Sequence, residues 1–353
     1  MTCSPLFSRH GLIGVWLSLN ALAVSFASEP VRGYPPEIIE VRYPVKADKS
    51  EQPALFWKPA NSDTPRPLLV ALHTWSGDYR QAGGEAVYAQ WCLQNDWIFL
   101  HPNFRGPNRT PEAMGSDLMI ADIRAAVEWA KTQANVDETR IYAIGVSGGG
   151  HATQLVAGRM PEIWAGISSW CGISDIAAWH KETLEAGREK YTKDIEAALG
   201  GNPNTDDVLA EKALLRSPVH WLAAAAEVPL DLNHGINDGR TGSVPFTHSL
   251  QAWNSIVPVS ERFSEGWIAE FYETQIAPSG AKPDADEWYG KKPPVFRKVH
   301  ENTRITIFDG GHEIIHLAAL NWLAGQKKGQ PVDWNPPKTA DLKTSDGDSE
   351  SGK

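Results

Sequence analysis

Residues 145–149 read Gly-Val-Ser-Gly-Gly and lie between a predicted strand and a predicted helix. The preceding segment, 140–144, is rich in β-branched and aromatic residues, which favour a strand. A G-x-S-x-G motif in a strand, turn and helix puts the serine on a sharp, strained turn at the top of a sheet. Ser147 is therefore a candidate nucleophile, next to a helix N-terminus that favours negative charge. The alternative is a glycine-rich turn whose serine only caps the helix.

Strand-like and helix-like segments alternate through most of the chain. This alternation is typical of a largely parallel sheet covered by helices on both faces, so we predict an α/β fold with a mostly parallel sheet of eight strands. Two longer stretches, at about 175–226 and 254–300, are predicted to be insertions over the carboxyl edge of the sheet, where ligands bind in such folds. The predicted strands cover residues 38–45, 54–57, 68–72, 97–100, 140–144, 167–170, 230–233 and 304–308, and the predicted helices include 80–94, 116–134 and 149–158.

The two ends of the chain differ in composition from its middle. The first 27 residues have the features of a secretory signal peptide, because a basic residue precedes an apolar stretch at 12–24 and Ser25-Phe26-Ala27 offers a small-x-small cleavage site. We therefore expect an exported protein, in the periplasm or outside the cell. Residues 329–353 are mostly Pro, Lys, Asp, Ser and Gly and are predicted to form a disordered tail, which leaves 28–328 for the catalytic domain.

Charge, hydropathy and cysteines limit the partners of the chain. The formal net charge is −10 at pH 7, which argues against a nucleic-acid partner. The apolar stretch near the start is short for a bilayer and no later segment reaches that length, so no membrane partner is expected. Cys92 and Cys171 would remain after signal cleavage, either as one disulfide or as buried free thiols. No cofactor is predicted, and the oligomeric state is left open.

A serine hydroxyl needs a base to accept its proton, and the base needs an acid to orient it. Asp238 lies just after the predicted strand 230–233, and His312 lies just after the predicted strand 304–308. The order serine, acid, histidine is the order found in folds that carry the G-x-S-x-G turn. We therefore predict that Ser147, Asp238 and His312 form a catalytic triad.

Two alternatives compete for these positions. Asp309 is a second candidate acid, although Asp-Gly pairs are also common in turns. Residues 312–316 read His-Glu-Ile-Ile-His, which matches the H-E-x-x-H signature of zinc metalloproteases. That signature needs both histidines inside one helix and a third ligand from downstream, whereas here two glycines precede His312 and no histidine follows His316. We therefore predict a base at His312 and no metal.

The predicted oxyanion hole has two backbone donors. One is the N–H of Gly148, directly after the nucleophile, and the other should come from the loop at 73–77, where we select Trp75. Trp75 and Tyr79 are also candidate substrate contacts. The alternative is that Trp75 only packs in the interior and that His73 is a hydrogen-bonded histidine beneath the site.

Taken together, these motifs resemble the catalytic domain of the prolyl oligopeptidase family within the α/β-hydrolase superfamily, over roughly residues 65–325. The resemblance implies that Ser147, Asp238 and His312 are nucleophile, acid and base. Few residues separate the predicted cleavage site from the first strands, although the peptidases of this family carry a β-propeller before the catalytic domain. This difference favours the single-domain esterases that share the core. The motifs are Gly145-Val-Ser-Gly-Gly149, Leu199-Gly-Gly-Asn-Pro203, Ser217-Pro218, His234-Gly-Ile-Asn-Asp238 and Gly310-Gly-His312.

The first hypothesis for function is a secreted serine esterase that forms an acyl-enzyme. A serine peptidase of the prolyl oligopeptidase type is the nearest alternative, and an inactive binding protein with the same fold is the third. The chain contains 15 tryptophans, and aromatic faces near the site would suit a small-molecule or carbohydrate ester, such as a decorated polysaccharide or a phenolic ester. Most of these tryptophans can equally be core residues.

Overall fold

A computed structural model of the protein describes residues 1–2, 30–60, 63–278, 283 and 285–337. The predicted signal peptide lies outside the described residues, apart from the first two. The same is true of residues 338–353, which form most of the predicted tail. Within the described residues, no helix has the length and apolar character needed to cross a membrane.

The described residues form one sheet of nine strands, in the order β1-β2-β4-β3-β5-β6-β7-β9-β8. Neighbouring strands are parallel from β4 to β9, whereas β1 pairs with β2, β2 with β4 and β8 with β9 in antiparallel fashion. The predicted mostly parallel α/β sheet is therefore confirmed, with antiparallel strands at its two edges. The strands are β1 (Ile39–Val45), β2 (Ser50–Trp57), β3 (Arg66–Leu72), β4 (Ile98–Pro102), β5 (Val136–Val146), β6 (Gly166–Trp170), β7 (Leu230–Gly235), β8 (Pro294–His300) and β9 (Thr303–Phe308).

The predicted number of eight strands is wrong, because β8 lies inside the stretch that we expected to be a loop-like insertion. Its sequence begins with Pro294, which cannot donate a backbone hydrogen bond and is tolerated at a sheet edge. The strand is antiparallel to β9 and is the last in the sheet, so its outer side needs no further partner. Proline and charged residues at an edge strand made this segment resemble a loop in the sequence.

Alternation along the central strands explains why helices cover both faces. Leu68, Val70 and Leu72 of β3 belong to one buried apolar cluster, whereas Leu69 and Ala71 belong to the other. Successive side chains of a strand point to opposite faces, so a strand that is apolar throughout requires cover on both sides. The helices are α1 (Gly84–Asn95), α2 (Asp117–Gln133), α3 (Gly148–Arg159), α4 (Ile176–Glu185), α5 (Glu189–Leu199), α6 (Asp207–Leu215), α7 (Pro218–Trp221), α8 (Thr247–Ile256), α9 (Glu265–Thr274) and α10 (His316–Ala324).

The predicted tail begins too early in the sequence. The Trp334 ring stacks on Trp322 of α10, with centroids 5.6 Å apart and planes 10° apart. Arg304 donates from Nη1 to the Trp334 carbonyl at 2.9 Å. The ordered body of the protein therefore continues at least to Pro337, and Trp334 in an otherwise polar segment was the signal for it.

Three parallel strands of the central sheet end at the same carboxyl edge, with β6 between the first two of them. β5 ends at Val146, β7 at Gly235 and β9 at Phe308, and each leads directly into a loop that carries one of the predicted catalytic residues. The shared edge brings together residues that are far apart in the sequence.

Candidate active site

Ser147 lies on the tight turn between β5 and α3. Its backbone has φ 61° and ψ −120°, a conformation that is costly for a residue with a side chain. The turn is held by the Ser147 N–H, which donates to the Trp170 carbonyl at 2.9 Å, and by the His151 N–H, which donates to the Ser147 carbonyl at 2.9 Å. The Ser147 side chain makes no capping hydrogen bond to the helix, so the alternative role as a helix cap is wrong.

The glycines around Ser147 are required by the close approach of neighbouring backbone. A Cβ on Gly145 would lie 2.5 Å from the Gly149 carbonyl oxygen. A Cβ on Gly149 would overlap the Leu72 carbonyl, and one on Gly148 would lie 2.5 Å from the Trp75 Cα. Real Cβ atoms do not come this close to backbone, so this packing demands glycine.

The predicted acid and base are hydrogen-bonded to each other. His312 donates from Nδ1 to Oδ2 of Asp238 at 2.6 Å. The Asp238 side chain is fully buried, whereas the His312 side chain is 23% exposed. A buried acid behind a more accessible imidazole is the arrangement that holds a histidine in one tautomer and leaves its other nitrogen free.

The Asp238 carboxylate accepts four hydrogen bonds. Oδ1 accepts from the backbone N–H groups of Gly239 at 2.9 Å and Val244 at 3.1 Å. Oδ2 accepts from His312 and also from Nε2 of His234 at 3.0 Å. Burial by itself raises the pKa of Asp238, but the bonds from His234 and His312 outweigh burial and hold that pKa well below its usual range. The acid is therefore ionised at neutral pH.

The loop that carries His312 lies close to the Ser147 turn. Cys171 follows Trp170, the residue whose carbonyl accepts from the Ser147 N–H, and its Sγ lies 3.4 Å from the Glu313 carbonyl. From the other side, a Cβ added to Gly242 would lie 2.6 Å from the His312 Cβ. The dyad is thus packed between Cys171 and the backbone of Gly242.

The loop after β3 packs against the Ser147 turn at Gly148. The backbone of Trp75 is anchored from the opposite side by the Asn108 N–H, which donates to the Trp75 carbonyl at 2.9 Å. The glycine contact described above brings the Trp75 N–H beside Gly148. The Trp75 backbone nitrogen therefore lies beside the residue that directly follows the candidate nucleophile.

One segment of the chain matches a known protein family. The profile of the prolyl oligopeptidase family matches residues 88–258, a segment that contains Ser147 and Asp238. The chain has the α/β-hydrolase fold and a prolyl oligopeptidase-family segment. His312 lies beyond the matched segment, so its pairing with Asp238 is seen in the structure and not in the profile match.

Similar proteins include both peptidases and esterases. The chain is 29% identical over 220 residues to dipeptidyl aminopeptidase BIII of Pseudoxanthomonas mexicana, covering 56% of this chain and 29% of the relative. It is 25% identical over 241 residues to feruloyl esterase B of Thermothelomyces thermophilus, covering 62% of this chain and 76% of the relative. Among solved structures, uncomplexed Pyrococcus horikoshii acylaminoacyl peptidase is similar at a TM-score of 0.49 and 17% identity, over 62% of this chain and 34% of that one. The match thus spans less than a third of the length of the first peptidase.

Neither Asp309 nor the H-E-x-x-H motif at 312–316 has the surroundings that its alternative role requires. Asp309 is exposed, and Asp238 takes the place beside Nδ1 of His312.

The two histidines of the H-E-x-x-H motif lie in different elements. His312 lies in a loop, whereas His316 begins α10 and packs near the Tyr88 ring at 5.5 Å. Burial lowers the pKa of His316 to about 4. The motif's acid, Glu313, accepts from the Gly311 N–H at 2.9 Å and pairs with Lys292. The two histidines therefore lie in different environments, His312 beside Asp238 and His316 beside the Tyr88 ring.

In the part of the chain that the structure describes, one group of three side chains has the spacing of metal ligands. Cys171, His234 and Asp238 place their ligand atoms within 4.8 Å of one another. Asp238 is already bonded to both histidines, and burial holds the pKa of the Cys171 thiol well above its usual range. A metal-binding cysteine must be a thiolate, so this protonated thiol favours hydrogen bonding over metal binding.

The predicted substrate contacts are not supported by burial. The Trp75 side chain is 2% exposed, donates from Nε1 to Asp194 at 3.2 Å and packs edge-on against Trp179 at 4.6 Å. Tyr79 is 8% exposed and donates its hydroxyl to Glu40 at 2.9 Å. Neither ring offers a free face to a ligand, which argues against both side chains as substrate contacts. The role of the Trp75 backbone N–H in the oxyanion hole stays a prediction.

His234 and Cys171 both lie beside Asp238, and no sequence motif predicted either of them as part of the site. His234 was visible in the motif that ends at Asp238, but the sequence did not show that its ring turns back onto the same carboxylate. Both cysteines of the described chain, Cys92 and Cys171, are buried free thiols, which settles that alternative.

Proposed function

We propose that this protein is a secreted serine esterase, which hydrolyses carboxylic esters through an acyl-enzyme on Ser147. The observation that carries the proposal is the strained Ser147 turn at the same sheet edge as the buried Asp238–His312 pair. A strained serine, an imidazole of fixed tautomer and an ionised acid are the parts of a serine hydrolase.

In the proposed reaction, the Ser147 hydroxyl attacks the ester carbonyl carbon and transfers its proton to Nε2 of His312. Asp238 holds the proton on Nδ1 and stabilises the imidazolium. The N–H groups of Gly148 and Trp75 stabilise the oxyanion of the tetrahedral intermediate. His312 then returns the proton to the departing alcohol, and the same groups activate a water molecule that hydrolyses the acyl-enzyme.

Similarity to a feruloyl esterase supports an ester substrate, because the alignment takes in 76% of that enzyme. We propose a small-molecule or carbohydrate ester, with decorated polysaccharides and phenolic esters as the first classes to assay. Similarity to a dipeptidyl aminopeptidase favours peptidase activity as the second candidate.

The two candidates are separated by paired assays on the purified protein. The esterase proposal expects hydrolysis of p-nitrophenyl acetate and of a feruloyl ester, labelling by a fluorophosphonate, and little turnover of an aminoacyl p-nitroanilide. Faster turnover of the anilide than of both esters would replace the esterase proposal with the peptidase. Folded protein that neither reacts with the fluorophosphonate nor hydrolyses any of these substrates would favour an inactive binding protein.

Export is a separate part of the proposal and rests on the signal peptide predicted at 1–27. Expression of the full chain in a bacterial host, followed by N-terminal sequencing of the protein from the periplasm or medium, tests it. We expect a mature chain that begins near Ser28. Retention of the uncleaved chain in the cytoplasm would refute export and leave the chemistry untouched.

A further inference from the structure

A second imidazole contacts the acid of the candidate triad. His234 lies at the end of β7, is fully buried, and has its Nε2 3.0 Å from Oδ2 of Asp238. This is the same oxygen that accepts from Nδ1 of His312 at 2.6 Å. The proposed triad mechanism gives His234 no step, yet its ring is hydrogen-bonded to the Asp238 carboxylate, which that mechanism requires.

The surroundings of the His234 ring determine which nitrogen carries the proton. Nε2 faces two groups, the Asp238 carboxylate and the Val244 carbonyl at 3.0 Å, and both can only accept. Nδ1 faces the Ser249 hydroxyl at 2.7 Å, which can donate. The proton is therefore on Nε2, and His234 is a donor to Asp238.

We propose that His234 is a positioning residue, which fixes Oδ2 of Asp238 toward His312 by donating its Nε2–H to that oxygen. The inference rests on the proposed role of the Asp238–His312 pair. The backbone N–H groups of Gly239 and Val244 hold the other oxygen, so four donors prevent the carboxylate from rotating. Loss of His234 would leave His312 as the remaining side-chain donor to Oδ2, so the Asp238 carboxylate could move away from the former position of His234.

His234 also determines how much negative charge Asp238 presents to His312. A second donor on Oδ2 disperses that charge, so its removal should strengthen the bond to Nδ1 and make His312 a stronger base. Other titratable groups near Asp238 are the Cys171 thiol, which stays protonated, and His248 and Tyr272 at longer range. These groups are unchanged when only His234 is replaced, so a comparison of variants isolates its effect.

The test compares His234→Leu with His234→Gln, whose side-chain amide can donate from nearly the position of Nε2. With p-nitrophenyl acetate, His234→Leu should lower kcat by roughly 10- to 100-fold, the scale of one hydrogen bond to a charged group, and leave KM nearly unchanged. The acid limb of its kcat/KM profile should move to higher pH. His234→Gln should restore both properties most of the way to wild type.

A matched control is His180→Leu, because His180 is also buried with its Nε2 3.0 Å from a carboxylate, that of Glu196, which is outside the triad. This control should lose stability without any change in kcat or in the acid limb. If His234→Leu does not fold, His234→Asn takes its place, since the shorter amide does not reach Asp238.

NMR of the His312 Nδ1–H, which bonds to Asp238, needs no turnover in the same variants, so it decides the role of His234 even if no ester is hydrolysed. The proposal expects the chemical shift of this proton to change in His234→Leu and to return in His234→Gln. An unchanged chemical shift in folded His234→Leu, or a Gln variant no better than Leu, would overturn the positioning role. Failure of wild-type protein to hydrolyse esters or bind a fluorophosphonate would overturn only the proposed function.

Discussion

Replacement of Asp238 by Asn should reduce kcat by about 10⁴-fold, the scale observed when a triad acid is neutralised. The hydrogen bonds around the carboxylate explain why such a small change is so costly. Oδ1 accepts from two backbone N–H groups, so the oxygen of an Asn side chain would be held at that position. The amide NH2 would then occupy the position of Oδ2.

An NH2 group at that position would face two further donors, Nδ1–H of His312 and Nε2–H of His234. His312 would escape this repulsion by moving its proton to Nε2, and this tautomer cannot accept a proton from Ser147. The alternative rotation of the amide would leave the two backbone donors without an acceptor. A 10⁴-fold loss corresponds to about 5.4 kcal/mol of transition-state stabilisation.

The assay is steady-state hydrolysis of p-nitrophenyl acetate at one pH, with the melting temperature measured to establish folding. Asp309→Asn is the matched control, because this acid is exposed in the loop before His312. It should keep kcat close to that of wild type. The reverse ranking in two folded variants would move the acid to Asp309 and refute the reasoning from hydrogen bonds.

Three further predictions follow from individual contacts. Gly242→Ala should lower kcat on the order of 10²-fold, because its Cβ would displace the dyad, whereas Gly266→Ala, with open space around its Cβ, should not change steady-state kcat. Burial raises the pKa of Glu85 from 4.5 to about 7, so this carboxyl costs stability that grows as pH rises from about 4.5 to about 7. In urea unfolding, the free energy of unfolding of Glu85→Gln relative to wild type should therefore increase by up to about 3 kcal/mol between pH 4 and pH 8. The same difference between variant and wild type at both pH values would refute this. Dialysis against a strong chelator should leave activity unchanged. If dialysis instead removes bound zinc and abolishes activity, and added zinc restores that activity, the H-E-x-x-H alternative would be favoured.

The central part of the fold was predictable because its strands are apolar on both faces. All eight predicted strands are present within a few residues. The helix predicted at 116–134 is also present as α2, where Ser116 caps the first turn by accepting from the Met119 N–H at 3.1 Å. β8 was missed because an edge strand has no need of a continuous apolar run. The tail boundary was missed because a single stacking contact, Trp334 on Trp322, orders a segment of polar composition.

The site was predictable where its residues directly follow strands, and unpredictable where its side chains make tertiary contacts with distant segments. The Ser147 turn and the loops of Asp238 and His312 come directly after parallel strands, so sheet topology alone brings them to one edge. The burial of the Trp75 ring and the bond from His234 depend on tertiary packing between distant segments. No local pattern in the sequence encodes these contacts.

The central claim is that Ser147 is the nucleophile of a serine hydrolase. Incubation of the purified protein with a fluorophosphonate, followed by peptide mass spectrometry, tests this claim most directly, with Ser147→Ala as the control. We predict one covalent adduct per chain, located on Ser147, with complete loss of esterase activity and no adduct in the folded Ala variant. An adduct on another residue, or ester hydrolysis by folded Ser147→Ala at near the wild-type rate, would contradict the claim.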